Sequence, residues 1–261
     1  MFKKLIFSAL IVLGTGSVAV AEKNSFYPVI PDVAFSFEGP FGTFDRNQLQ
    51  RGLQVFTQGC AVCHGVNFVA FRNLGDPGGP EMTPEQVKAY AAQFDIYDPE
   101  KDEYRPGIPT DMFPAGSLDG VPDLSLMAKA RYGFSGPYGT GINQLIKGMG
   151  GAEYINAILT GYTGEEKEEY GAILYRNTAF PGGWIAMPPP LFDGMVEFDP
   201  AADNSEAAMA KDVSAFLMWT AEPKLMQRKK AGLVAVLFLS FLAVMLYLTN
   251  KKLWAKAKRK A

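Results

Sequence analysis

Residues 60–64 read Cys60-Ala61-Val62-Cys63-His64, and they hold every cysteine and histidine of the 261-residue chain. Two thiols at i and i+3 followed by an imidazole form the attachment signature of a c-type haem. The spacing has a physical reason. Positions i and i+3 share a helical face, so both thiols can reach the two vinyl groups of one porphyrin while the next residue turns an imidazole toward the iron. A thioredoxin-like dithiol expects a preceding strand and a βαβ context. A structural zinc site needs four ligands, usually Cys and His, and this chain has three such residues. Upstream, Leu49, Leu53, Phe56, Cys60 and Cys63 recur at steps of 4, 3, 4 and 3. That pattern is one helical face, with Asp45 as N-cap and Gly65 able to end the helix. The reading is one haem c, covalent through Cys60 and Cys63, with His64 on the metal.

A six-coordinate iron needs a second axial ligand, and with a single histidine that ligand falls to methionine. Met187 stands out among 11 methionines because it sits in Gly182-Gly183-Trp184-Ile185-Ala186-Met187-Pro188-Pro189-Pro190-Leu191-Phe192. Three prolines stiffen that loop and apolar neighbours would keep water from the iron. By spacing alone Met112 and Met127 remain rivals.

The chain ends specify a topology. Lys3 and Lys4, the apolar run Leu5–Leu13 and Ala19-Val20-Ala21 read as a signal peptide over 1–21. Ala231–Thr249 has 19 residues and no charge, about 28 Å of helix, close to the hydrocarbon core of a bilayer. Lys224, Arg228, Lys229 and Lys230 precede it, and Lys251, Lys252, Lys256, Lys258, Arg259 and Lys260 follow. The heavier C-terminal cluster places a tail at 251–261 in the cytoplasm, behind a membrane-proximal and transmembrane segment at 224–250. Residues 22–223 become an exported, periplasmic haem domain on one anchor.

Between the ends, 24–44 reads as an extended arm. Thr83-Pro84-Glu85-Gln86 is a capping box that predicts a helix over 84–94. Residues 95–121 read as a long acidic surface insertion. Helices are expected at 124–132, 142–148, 151–160 and, capped by Ser205, up to about Ala221 with Met209, Val213, Phe216, Leu217 and Thr220 on one face. Residues 163–204 hold few periodic runs, and no run of alternating strands is apparent. The fold class is mainly α, a cytochrome c-like haem domain with long loop insertions plus one C-terminal transmembrane helix.

Residues 22–223 contain 27 acidic and 13 basic residues, a net −14, against −2 for the whole chain. Nucleic acid is therefore excluded as a partner of this segment, and cationic partners and a lipid bilayer are implied.

The chain resembles the cytochrome c1 family, the membrane-anchored haem subunits of cytochrome bc1 complexes, in its alphaproteobacterial branch. The resemblance covers nearly all of the mature chain. It rests on Arg51-Gly52 before the haem motif, Phe71-Arg72-Asn73-Leu74, Pro122-Asp123-Leu124-Ser125 leading to Ala130-Arg131, Leu159-Thr160-Gly161-Tyr162, Met187-Pro188-Pro189-Pro190-Leu191 and Leu246-Tyr247-Leu248-Thr249-Asn250-Lys251. The resemblance implies that Met187 is the sixth iron ligand, that Arg131 lies near a haem propionate and that Arg72 lies near the haem pocket. It implies a redox role: electrons arrive from the Rieske iron–sulfur protein, which took them from ubiquinol at cytochrome b, and leave to a soluble or tethered cytochrome c. The chain would be the electron-transfer subunit of quinol–cytochrome c reductase and would catalyse no bond chemistry alone. The competing reading is a free-standing membrane-tethered shuttle. Some members of the family carry an extra disulfide near the haem crevice, for which this chain has no cysteines.

Overall fold

Asp45 Oδ1 accepts a hydrogen bond from the Gln48 amide at 2.8 Å, and helix α1 (Arg46–Val55) begins there. The computed structural model describes residues 28, 30–131, 148, 150–198 and 202–258, the last three by backbone alone. The expected signal peptide at 1–21 lies outside the described residues, as does all but the last residue of the expected helix at 142–148.

Helix α1 does not run α-helically to Cys63. A π-helical turn at Phe56–Cys60 follows, closed by the Ala61 amide on the Phe56 carbonyl at 2.8 Å. Thr57 Oγ1 donates to the Leu53 carbonyl at 2.7 Å, a back-bond of the kind that loosens a helix. After the motif come a 3₁₀ turn (Phe71–Gly75), α2 (Pro84–Ala91), β1 (Asp95–Asp98), β2 (Glu103–Pro106) and α3 (Met127–Ala130). Next are α4 (Gly151–Thr160), β3 (Tyr162–Glu169), β4 (Ala172–Asn177) and β5 (Trp184–Ile185), then α5 (Glu206–Ala221) and α6 (Leu225–Lys258). Thr83 and Gln86 exchange the capping-box bonds expected for α2, and Ser205 Oγ accepts from Ala208 at the start of α5.

The core forms where α1 crosses α5. Leu49, Leu53 and Phe56 pack with Met209, Val213 and Phe216, all buried. The crossing needs Gly52, because a Cβ there would lie 2.2 Å from the Asp212 carbonyl oxygen. Beside it Arg51 pairs with the nearly buried Asp212 through Nε (2.5 Å) and a terminal guanidinium nitrogen (3.1 Å). A second group of rings, Phe71, Tyr90, Phe94 and Phe113, joins the 3₁₀ turn and α2 to the segment after β2.

The mainly α class holds, with one correction: the regions read as strandless contain two small antiparallel sheets. Strands β1 and β2 form a hairpin inside the 95–121 insertion, and β3-β4-β5 form a three-stranded sheet. The β3–β4 turn places Tyr170 and Gly171 at φ 53° and 77°, the all-positive geometry of a two-residue I′ hairpin.

Helix α6 has 34 residues, ~51 Å at the α-helical rise. Its apolar stretch reaches a mean hydropathy of 2.5, is not buried against the rest of the protein, and is long and apolar enough to cross a membrane. Its first turns pack on the folded body. Leu225 is 4% exposed. Lys229 Nζ donates to the Phe37 and Gly42 carbonyls at 2.5 and 3.1 Å, and Glu222 accepts from Lys129 at 2.8 Å and from Arg228.

Candidate functional site

The π turn delivers Cys60, and the turn that follows it Cys63, to the wall of a cleft of about 440 Å³. His64 lines the same cleft, with Met187, Met127, Arg131 and Tyr154, and α4 and α5 supply apolar walls through Ile155, Ile158, Val213 and Leu217. The sequence motif therefore meets residues from four other stretches of chain at one place.

The imidazole is oriented by a segment 58 residues away. His64 Nδ1 donates to the Pro122 carbonyl at 2.8 Å. A carbonyl can only accept, so Nδ1 carries the proton and Nε2 keeps its lone pair for a metal. Pro122 is held in turn. The Leu124 amide donates to the Gly65 carbonyl at 2.8 Å, the Asn67 amide to Asp123 Oδ2 at 2.9 Å, and the Phe68 amide to Ser125 Oγ at 3.1 Å. This is the physical content of the Pro122-Asp123-Leu124-Ser125 stretch: it zips alongside 65–68 and aims a carbonyl at the histidine.

Cys60 is buried and Cys63 partly buried, and no disulfide joins them. Burial, and then the neighbouring Cys63, push the Cys60 thiol up to about 12. A dithiol redox centre needs a lowered thiol pKa and an accessible thiolate, and the buried Cys60 offers neither.

Of the methionine candidates, Met187 and Met127 both reach the cleft. Met112 does not: it is 50% exposed and sits in a bridge with Ala70. Met187 lies two residues beyond β5, which is paired to β4 through Tyr175–Ile185 and Arg176–Trp184. Its carbonyl accepts a 3.0 Å hydrogen bond from the Tyr162 hydroxyl, and burial raises the Tyr162 phenol above its usual range. Sequence reasoning singled out Tyr162 only within a longer motif; that its hydroxyl meets Met187 could be read only once the sheet was known.

Arg131 stands exposed at the cleft margin, near enough to Tyr154 to act on its phenol. Among the described residues it forms no ion pair. Arg72 is not brought to the cleft. It is exposed on the 3₁₀ turn with its amide on the Pro109 carbonyl at 2.7 Å, while its neighbour Phe71 takes the buried position. Arg72 is therefore not among the residues that line the cleft.

The donor set fits haem c: two thiols, an imidazole with its Nε2 lone pair available, a thioether and apolar walls around one cleft. Residues 35–257 match the model of the Cytochrome C1 family. "Cytochrome c1" of Cereibacter sphaeroides is 52% identical over 284 residues, covering 100% of this chain and 98% of the relative. "Cytochrome c1, heme protein, mitochondrial" of Saccharomyces cerevisiae is 38% identical over 250 residues, covering 87% and 73%. "Cytochrome b-c1 complex catalytic subunit, mitochondrial" of Candida albicans is 34% identical over 266 residues, covering 94% and 84%.

Proposed function

The chain belongs to the cytochrome c1 family, and on that premise we propose that it is the electron-transfer subunit of a ubiquinol–cytochrome c oxidoreductase. Cys60 and Cys63 would hold a haem c covalently, with His64 and Met187 on its iron, and the group would supply one-electron chemistry between the ferric and ferrous states. The residues around it tune that exchange. Pro122 fixes the imidazole and its tautomer. The neutral thioether of Met187 and the apolar walls from Ile155, Ile158, Val213 and Leu217 disfavour the extra charge of ferric iron, which raises the potential. With His64 and Met187 both holding the iron, the site would leave no open position for oxygen activation. Arg131, exposed at the cleft margin, would offer its guanidinium to a haem propionate.

The electron enters from the Rieske iron–sulfur protein, which received it from ubiquinol at cytochrome b, and leaves to a soluble or tethered cytochrome c. The net −14 of residues 22–223 suits a cationic acceptor. Helix α6 anchors the chain in the bilayer. The signal peptide and the heavier cationic cluster after the span support a periplasmic haem domain with a cytoplasmic C-terminus.

The observation that carries this reading is the convergence of both thiols, the Pro122-held imidazole and Met187 on one apolar cleft. Haem staining after denaturing electrophoresis of the full chain tests it. Colour that stays with the wild-type band and leaves it in a Cys60→Ser, Cys63→Ser chain supports attachment, and a colourless wild-type band overturns it. In blue-native gels of detergent-extracted membranes, co-migration with a di-haem cytochrome b separates the subunit from a free-standing shuttle.

A further inference from the structure

We infer that Tyr162 is a positioning residue for Met187, its hydroxyl fixing the backbone from which the thioether reaches the iron; the inference rests on the ligation proposed above. A methionine side chain has three rotatable bonds and adapts readily to its surroundings. Holding its sulfur on a metal therefore depends on how firmly its own backbone is held. Two constraints act on Met187 from opposite directions. On the C-terminal side Pro188 restricts it to extended backbone, and Pro188–Pro190 provide no amide hydrogens. On its own peptide plane the Met187 carbonyl receives the Tyr162 hydroxyl at 3.0 Å. A phenol has a single proton to donate, and here it goes to that carbonyl.

Tyr162 is itself placed by a rigid device at the junction of α4 and β3. Gly161 is required there, since a Cβ would meet the Ala157 carbonyl oxygen at 2.5 Å and Asn177 Oδ1 at 2.9 Å. The fully buried Asn177 pairs with Tyr162 in the sheet register. Its Nδ2 donates to the Ile158 carbonyl at 2.8 Å and its Oδ1 accepts from the Ala179 amide at 2.9 Å. Ile158 lines the cleft. The cleft wall, the tyrosine and the methionine backbone are thus joined through one asparagine and one hydroxyl.

Tyr162→Phe removes one oxygen from a half-buried ring and leaves the packing, so folding is not at stake. The measurement is imidazole binding to the ferric, haem-loaded full chain in detergent, followed by loss of the sulfur-to-iron charge-transfer absorbance. Imidazole must displace Met187, so its apparent affinity reports how firmly the thioether is held. The expected result is a rise on the order of 3- to 10-fold in Tyr162→Phe, the loss of one net hydrogen bond, with haem staining unchanged. Met187→Leu, measured alongside, should bind imidazole without competition. An unchanged affinity in Tyr162→Phe, with Met187→Leu open, overturns the positioning role while leaving the ligation intact. A Met187→Leu protein that still excludes imidazole overturns the ligation and the inference together.

Discussion

Replacing Gly52 with alanine should separate the two helices on which the cleft depends. The new Cβ would lie 2.2 Å from the Asp212 carbonyl oxygen and 2.7 Å from Phe216 Cβ, where ordinary contact begins at 3.4 Å. The first obstacle is helix backbone, which cannot rotate aside, so α1 and α5 must part by roughly 1 Å or tilt. The displaced residues include Arg51, whose partner Asp212 has a side chain only 6% exposed. They also include Val213 and Leu217, which wall the cleft. Overpacking of this kind costs ~1–3 kcal/mol, and more when a buried ion pair is disturbed with it. At about 2–4 °C per kcal/mol for a domain of this size, a cost of ~3 kcal/mol lowers Tm by roughly 6–12 °C. The assay is thermal unfolding of the haem-loaded full chain in detergent by far-ultraviolet circular dichroism. Gly232→Ala is the control, because a Cβ there meets nothing within 4 Å. A Gly52→Ala shift no larger than that of the control would refute the close-crossing argument.

Glu153, 2% exposed, has its carboxyl pushed from 4.5 up to about 8 by burial and then by Glu38 and Asp32. A raised carboxyl holds its proton in the folded chain, so its contribution to stability is complete below the unfolded value and is lost as pH rises through about 8. Glu153→Gln should flatten the fall of Tm across that window, and parallel curves for the two proteins would contradict this. Because Leu225 is buried and Lys229 holds two carbonyls of the 37–42 arm, a chain stopped after Lys230 should melt higher than one stopped after Pro223; equal melting would show that these contacts contribute little. Neutralising Glu165, Glu166, Glu168 and Glu169 on β3 should flatten the salt dependence of electron delivery to a cationic cytochrome c, and an unaltered slope would remove β3 from the docking surface. Met187→Lys should keep covalent haem while the midpoint potential falls by hundreds of millivolts, inside the ~0.8 V that axial ligands span. A redox titration matching wild type would count against Met187 as ligand.

The elements legible in the sequence were those whose signals are local. Ser205 and Thr83 carry their caps in adjacent residues, and Met209, Val213 and Phe216 of α5 recur at helical spacing. The sheet escaped because β3, Tyr162–Glu169, is charge-rich and mostly exposed, so no alternation marks it. Its one local sign was the pair Tyr170-Gly171, an X-Gly turn between two short segments. The π turn escaped for a different reason: the steps of 4 and 3 from Leu49 to Cys63 fit an uninterrupted α-helix equally well. Cys60, Cys63 and His64 were readable as a motif, but the carbonyl that orients His64 comes from Pro122, and only the folded chain brings it there. Arg51-Gly52 carried the resemblance without a reason, and the crossing of α1 and α5 supplies one. In the Phe71-Arg72-Asn73-Leu74 stretch the buried members are Phe71 and Leu74, which tie it to the core, while Arg72 is exposed.

The assignment of the iron ligands is the centre of the account, and two methionines line the cleft. Near-infrared magnetic circular dichroism of the ferric full chain reports thioether ligation directly. The account predicts a histidine–methionine signature in the wild type, its retention in Met127→Leu and its loss in Met187→Leu. Loss in Met127→Leu with retention in Met187→Leu would contradict it.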